Sequence, residues 1–243
     1  AENTIQVAIL LDTSSSMDGL IDQAKSRLWN IVNTLTTLKY KGKAPKIEIA
    51  LYEYGNDGIS DKNWIRKIAP LTQDLDLISE KLFALKTNGG TEYCGAVIKD
   101  AASQLEWNNS ENSMKLVYIA GNEAFNQEGI NYKEAIAEAK KKGIFINTIF
   151  CGNREEGIRT FWQDGATYGN GKYFNIDSDQ KVIFVPTPYD DRISECNVKL
   201  NATYLGYGSK GYEKKSAQVA QDRNAASMSE ANAVERTVAK SKA

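Results

Sequence analysis

Apolar and polar residues follow two rhythms along this chain. Short runs rich in β-branched and aromatic residues recur at 5–11, 46–54, 64–69, 114–120, 144–151 and 172–176, and each reads as a strand. Between them apolar residues return every three or four positions. In 20–38, Ile21, Ala24, Leu28, Ile31, Val32 and Leu35 share one helical face, and 75–85, 95–105 and 132–142 repeat the pattern over shorter spans. Strands alternating with helices predict an α/β fold, a doubly wound and mostly parallel six-stranded sheet covered on both faces. The run at 64–69 breaks the alternation. It follows the second strand after only the polar segment 55–61, and so short a connection predicts an antiparallel edge strand. Asp57 and Asp61 in that segment read as turn formers with no site role.

The pattern fades after about Ile176. Pro186 and Pro188 bracket a break, 189–204 places Ile193, Cys196, Leu200 and Tyr204 at helical spacing, and a glycine-rich joint follows. Residues 212–243 are rich in Ala, Lys, Glu, Gln and Ser, with high helix propensity and few large apolar side chains. The expected organisation is a domain over 1–180 and a C-terminal helical extension over 181–243. That extension is either a loosely packed appendage or a docking element.

Composition narrows the function classes. With 243 residues, 42% of them apolar, the chain can bury a substantial core. A net charge of −1 with scattered Lys and Arg gives no footprint for nucleic acid. No stretch of about 18 apolar residues predicts membrane insertion. The first strand starts within a few residues of Ala1, as after signal-peptide removal, so an extracytoplasmic location, periplasmic or secreted, is expected. Cys94, Cys151 and Cys196 are widely spaced and read as small apolar residues. There is no histidine to complete a zinc set, and its absence removes Ser-His and Cys-His nucleophile pairs.

The chemistry concentrates where the first strand ends. Its apolar run stops at Asp12-Thr13-Ser14-Ser15-Ser16, with Asp12, Ser14 and Ser16 at alternating positions, a set of oxygens suited to a hard divalent cation. Serines and Asp18 ahead of a helix also serve as amide caps, and capping accounts for about one of them. For strand order 3-2-1-4-5-6, the ligand crevice lies beyond the ends of strands one and four. Strand four ends at Ala120-Gly121-Asn122-Glu123, and a third polar loop, Thr87-Asn88-Gly89-Gly90-Thr91-Glu92, leads into the preceding helix. Gly169-Asn170-Gly171-Lys172 lacks phosphate-loop spacing and reads as a turn.

Asp12-Thr13-Ser14-Ser15-Ser16 matches the Asp-x-Ser-x-Ser motif of von Willebrand factor A domains, and Gly90-Thr91 resembles their second-loop threonine. Over roughly 5–176 the chain resembles this family, in a bacterial branch. The resemblance implies a metal-ion-dependent adhesion site holding Mg2+, or Mn2+ or Ca2+. Ser14 and Ser16 would be direct ligands, Thr91 a direct or water-linked one, and Asp12 would act through water. The open position would take a carboxylate from a partner protein, which makes the chain a non-enzymatic adhesion module. One departure stands out: alignment puts Gly121 where the family usually has a second aspartate, and Glu123 is the residue expected to restore that charge. Two alternatives remain at this point. One is a scaffold that has lost its ion and works through the helical extension. The other is a metal-assisted hydrolase, for which neither Asp-x-Asp nor a lysine at a strand end is present.

Overall fold

The computed structural model describes residues 3–39, 42–61, 63–110 and 112–176, with isolated helical positions between 198 and 223. Six strands form one sheet: β1 Thr4–Asp12, β2 Lys46–Tyr54, β3 Ile65–Thr72, β4 Ser113–Gly121, β5 Ile144–Cys151 and β6 Asn170–Ile176. Their order is β3-β2-β1-β4-β5-β6, with every pair parallel except β2 and β3. The expected doubly wound sheet with an antiparallel edge is what the chain forms.

β1 lies at the centre and all nine of its residues are buried. Successive side chains leave a strand on opposite faces, so its apolar run serves two cores at once. Ala8 and Leu10 join Ala50, Tyr52, Tyr54, Val117 and Ile119 in a cluster with α3, Cys94–Gln104, and α4, Tyr132–Lys141. Val7, Ile9, Leu11, Ile49 and Leu51 point the other way and are equally buried. α1, Ile21–Thr36, buries a stripe of Ala24, Leu28, Val32 and Leu35 and exposes the face between.

Two details refine the sequence reading. The strand run breaks at Pro70, yet β3 continues through it to Thr72. Proline removes an N–H, which an edge strand with one neighbour tolerates. Two short helices, α5 Arg154–Arg159 and α6 Trp162–Tyr168, went unanticipated. They span too few residues for an apolar period to emerge, and tertiary contacts hold them. Asn153 caps α5 by accepting from the Glu155 and Glu156 amides, and Trp162 of α6 stacks edge-on against Phe125.

The chain separates into two compact units, Ala1–Leu75 with Leu85–Lys181, and Asp76–Ala84 with Val182–Ala243. The first holds the sheet. Within the second, the helix α2, Leu75–Ala84, buries Ile78, Ser79 and Leu82. The expected boundary near 180 and most of the extension over 181–243 fall outside the described residues. Among the described residues no helix is long and apolar enough to cross a membrane.

Leu10 is wholly buried in the central strand. Leu10→Ala is expected to lower unfolding free energy by about 3 kcal/mol in urea titrations, the scale of a core cavity that neighbours fill only in part.

Candidate metal centre

β1 delivers Asp12 to the carboxyl edge of the sheet with 1% of its surface exposed. In the β1–β2 register Asp12 sits opposite Tyr54, and Leu11 pairs with Ala120, so Tyr54 and Gly121 flank the carboxylate. Its Oδ1 accepts from the Ser14 amide at 2.8 Å. Its Oδ2 is buried and takes part in no hydrogen bond. The residue between them is held separately: the Thr13 amide donates to the Tyr54 carbonyl, and its hydroxyl donates to the buried Glu53 carboxylate at 3.1 Å. Arg66 on β3 in turn donates to Glu53.

The serines are not used as caps. Ser14 precedes a single 3-10 turn, Ser15–Met17, without a side-chain cap bond, and α1 starts after Leu20, also without one. Instead the Ser14 and Ser16 hydroxyls lie 2.8 Å apart. The Ser16 hydroxyl donates to Asn122 Oδ1 at 2.8 Å, and Asn122 Nδ2 returns a bond to the Ser16 carbonyl at 2.8 Å. Asp18 does no capping either; it accepts from the Thr87 hydroxyl and ties the first loop to the second.

The second loop is sewn in along its length. The Leu85 carbonyl accepts from the buried Lys25 ammonium, the Asn88 amide donates to the Thr13 carbonyl, and the Ser15 amide donates to the Gly89 carbonyl. From the β2–β3 turn, the Asn56 side chain donates to the Lys86 carbonyl and the Asp57 amide to the Asn88 carbonyl. Asp61 accepts from the Asn63 amide, the local turn bond expected of it. Glycine is needed where these segments touch. A Cβ on Gly90, at φ 150°, would lie 2.5 Å from Ser14 Cβ and 2.6 Å from Glu92 Oε1. One on Gly55, at φ 76°, would lie 2.8 Å from Glu92 Cγ and 3.0 Å from Asp12 Oδ1.

Those same contacts bring Glu92 to the Asp12 carboxylate. Glu92 is 7% exposed, and its Oε2 accepts a long bond of 3.5 Å from Gln127. Sequence reading passed over it. Thr91 next to it carried the family match, and a lone acid ahead of a helix reads as a solvated first-turn charge. The available signal was its position, two residues before the buried start of α3 at Cys94. Thr91 itself is half-buried between Gly90 and Glu92.

At the end of β4 the expectation fares unevenly. Asn122 joins the serine network. Glu123 is half-buried, its carbonyl held by the Trp162 indole at 2.7 Å, and its carboxyl is raised by burial and by the charges of Glu92 and Glu156. Gly121 leaves no room for a side chain, since a Cβ there would lie 2.6 Å from the Tyr54 hydroxyl and 3.1 Å from Asp12 Oδ2. Tyr54 is fixed by donating to the Ala120 carbonyl at 3.1 Å.

Burial pushes the Asp12 carboxyl up from 3.8 to about 7 against the pull of Ser14 and of the Asn122 backbone amide, which faces the carboxylate outside hydrogen-bond geometry to Oδ2, and Glu92 adds to the rise. Burial also pushes the Cys94 and Cys151 thiols far above their ordinary range, with Asp12's charge contributing to both. They stay protonated and pack as the apolar residues expected of them. Cys196 lies outside the described residues. Among the described residues no ion pair reaches Asp12, Glu92 or Glu123, and no three His, Cys, Asp or Glu side chains cluster closely enough to hold a metal alone. A cation here would need the hydroxyls as well as the acids.

No curated protein matches the sequence. Among solved structures, conserved hypothetical protein BatB from Bacteroides thetaiotaomicron is 21% identical, over 74% of this chain and 95% of that one, with a TM-score of 0.52. A von Willebrand factor type A protein from Catenulispora acidiphila is 19% identical over 74% and 40%, with a TM-score of 0.53. The pilus adhesin SpaC from Lactobacillus rhamnosus GG is 13% identical over 73% and 28%, with a TM-score of 0.52. At these identities the likeness is one of fold. The von Willebrand factor type A domain profile matches residues 6–184, most of the chain, and this protein belongs to that family.

Proposed function

We propose that the chain is a non-enzymatic binding module that holds a divalent cation, Mg2+ or Mn2+, at Asp12, Ser14, Ser16 and Thr91, and through it captures an acidic side chain of a partner protein. The observation that carries this reading is Asp12 Oδ2, a buried carboxylate oxygen that, among the described residues, has no partner in hydrogen-bond geometry and no ion pair. Leaving such a group charged and uncompensated costs several kcal/mol, which a bound cation offsets. The donors beside it suit a hard ion: carboxylate and hydroxyl oxygens, with no imidazole or ionised thiol. Such an ion would supply a Lewis-acidic centre for a ligand carboxylate. Asp12 anchors its charge, the Ser14–Ser16 pair orients oxygens toward it, and the Asn122 clamp on Ser16 keeps that pair in place. A chain of the same fold bears the name of a pilus adhesin, a role of the same kind.

Calorimetric titration of the full chain with Mg2+ and Mn2+ is expected to give saturable heat that Asp12→Ala abolishes. A peptide bearing Asp or Glu is then expected to bind saturably and to be released by EDTA. No heat from the intact chain would sink the reading and leave a scaffold that has lost its ion.

Acidity gives a second check. Between pH 3.8 and about 7 the folded chain keeps a proton on Asp12 that the unfolded chain has lost. Stability of the metal-free protein therefore falls as pH rises through that window, by up to roughly 4 kcal/mol. Urea titrations in EDTA are expected to show this slope, reduced in Asp12→Asn. Because the ion displaces that proton, Mg2+ affinity is expected to climb over the same interval.

A further inference from the structure

We propose that Glu92, rather than any residue at the end of β4, supplies the second carboxylate of the cation site. The inference rests on the cation reading above and adds a ligand that the Asp-x-Ser-x-Ser pattern does not contain. A cation held by one carboxylate and hydroxyls needs further negative charge or several waters, so the position of the second acid decides how firmly the ion is kept.

Three observations converge on Glu92. First, the β4 seat is closed. The direction in which a side chain at 121 would leave the backbone runs into the Tyr54 hydroxyl, itself bonded to the Ala120 carbonyl. Glu123, two residues on, is half-buried and stands outside the serine network, in which Asn122 takes part instead. Second, the Glu92 side chain lies beside Asp12 and Ser14. One point in space, the Cβ position of Gly55, lies within 3.0 Å of both Glu92 Cγ and Asp12 Oδ1, and the Cβ position of Gly90 lies within 2.6 Å of both Glu92 Oε1 and Ser14 Cβ. Third, among the described residues the buried Glu92 accepts one long side-chain bond, from Gln127, and the buried Asp12 Oδ2 accepts none. Two neighbouring carboxylates without a basic partner repel each other, and a cation between them satisfies both.

The test uses the full chain and the metal alone. Mn2+ titration by calorimetry, with melting curves in EDTA and in Mn2+, compares wild type with Glu92→Gln and Glu123→Gln. Glu92→Gln keeps the shape of the side chain and removes its charge. It is expected to weaken Mn2+ by about tenfold or more and to shrink the metal-induced rise in melting temperature, while melting in EDTA is unchanged or higher. Glu123→Gln is expected to leave both readouts near wild type. Unchanged Mn2+ affinity in Glu92→Gln, or a larger loss in Glu123→Gln, overturns the assignment and leaves the cation reading standing. No Mn2+ binding by wild type overturns both. If Glu92→Gln does not fold, Glu92→Asp replaces it; withdrawing the carboxylate by one methylene has to lower affinity, and an unchanged value overturns the assignment.

Discussion

A carboxylate held dry at the rim of a fully buried strand sets the terms for everything around it. β1 has neighbours on both sides and both faces covered, so Asp12, its last residue, is fixed as rigidly as any atom of the core. Its Oδ2 is buried from solvent, and among the described residues no ion pair neutralises it. A hydrogen bond to a charged acceptor contributes about 1.5–3 kcal/mol, and the bonds from Ser14 and the Asn122 backbone amide recover only part of the desolvation cost, since the carboxyl remains raised. Such a position tends to become apolar unless it serves a ligand, and site residues characteristically break the local rule that the rest of a sequence obeys.

The three loops beyond the sheet are organised around that charge. Loops are ordinarily the mobile part of an α/β domain, yet here the first and second are joined by backbone bonds at Asn88–Thr13 and Ser15–Gly89, and the β2–β3 turn grips the second from outside. The close approach has a steric condition. Gly55 and Gly90 lie where any Cβ would collide with Ser14, Asp12 or Glu92. Were an ion or a partner group captured as proposed, preorganisation of this kind would lower the entropy lost, because the oxygens are placed in advance.

What could be read from the chain follows the range over which each signal acts. The strands and the edge position of β3 were legible because hydrophobic period and loop length are local properties. That Asp12, Ser14 and Ser16 lie together was legible because the strand ends abruptly in oxygens. The contacts of Tyr54 and Glu92 were not, and the Asn122–Ser16 bonds could not be told from a Glu123 contact, since all of these arise from register. Tyr54 faces the site only because β2 pairs in step with β1, and Asn122 reaches Ser16 only because β4 lies on the other side. Glu123 was expected on sequence distance from Gly121, and its carboxyl role is untouched by the backbone contact it makes. A strand end turning into a loop redirects successive side chains: the Asn122 side-chain amide meets Ser16, and the next residue, Glu123, accepts from the Trp162 indole at its backbone carbonyl.

Gly121 then appears in a different light. Read along the chain, it is a missing acid. Read in three dimensions, it is the space that Tyr54 needs, and the Tyr54 hydroxyl is within bonding distance of the β4 backbone only because residue 121 has no side chain. The bulky phenol on β2 and the glycine on β4 are one packing solution spread over two neighbours of Asp12. A carboxylate on β4 would have to displace a wholly buried tyrosine. The second loop, by contrast, has the two glycines whose missing Cβ atoms let Glu92 lie beside Asp12 and Ser14.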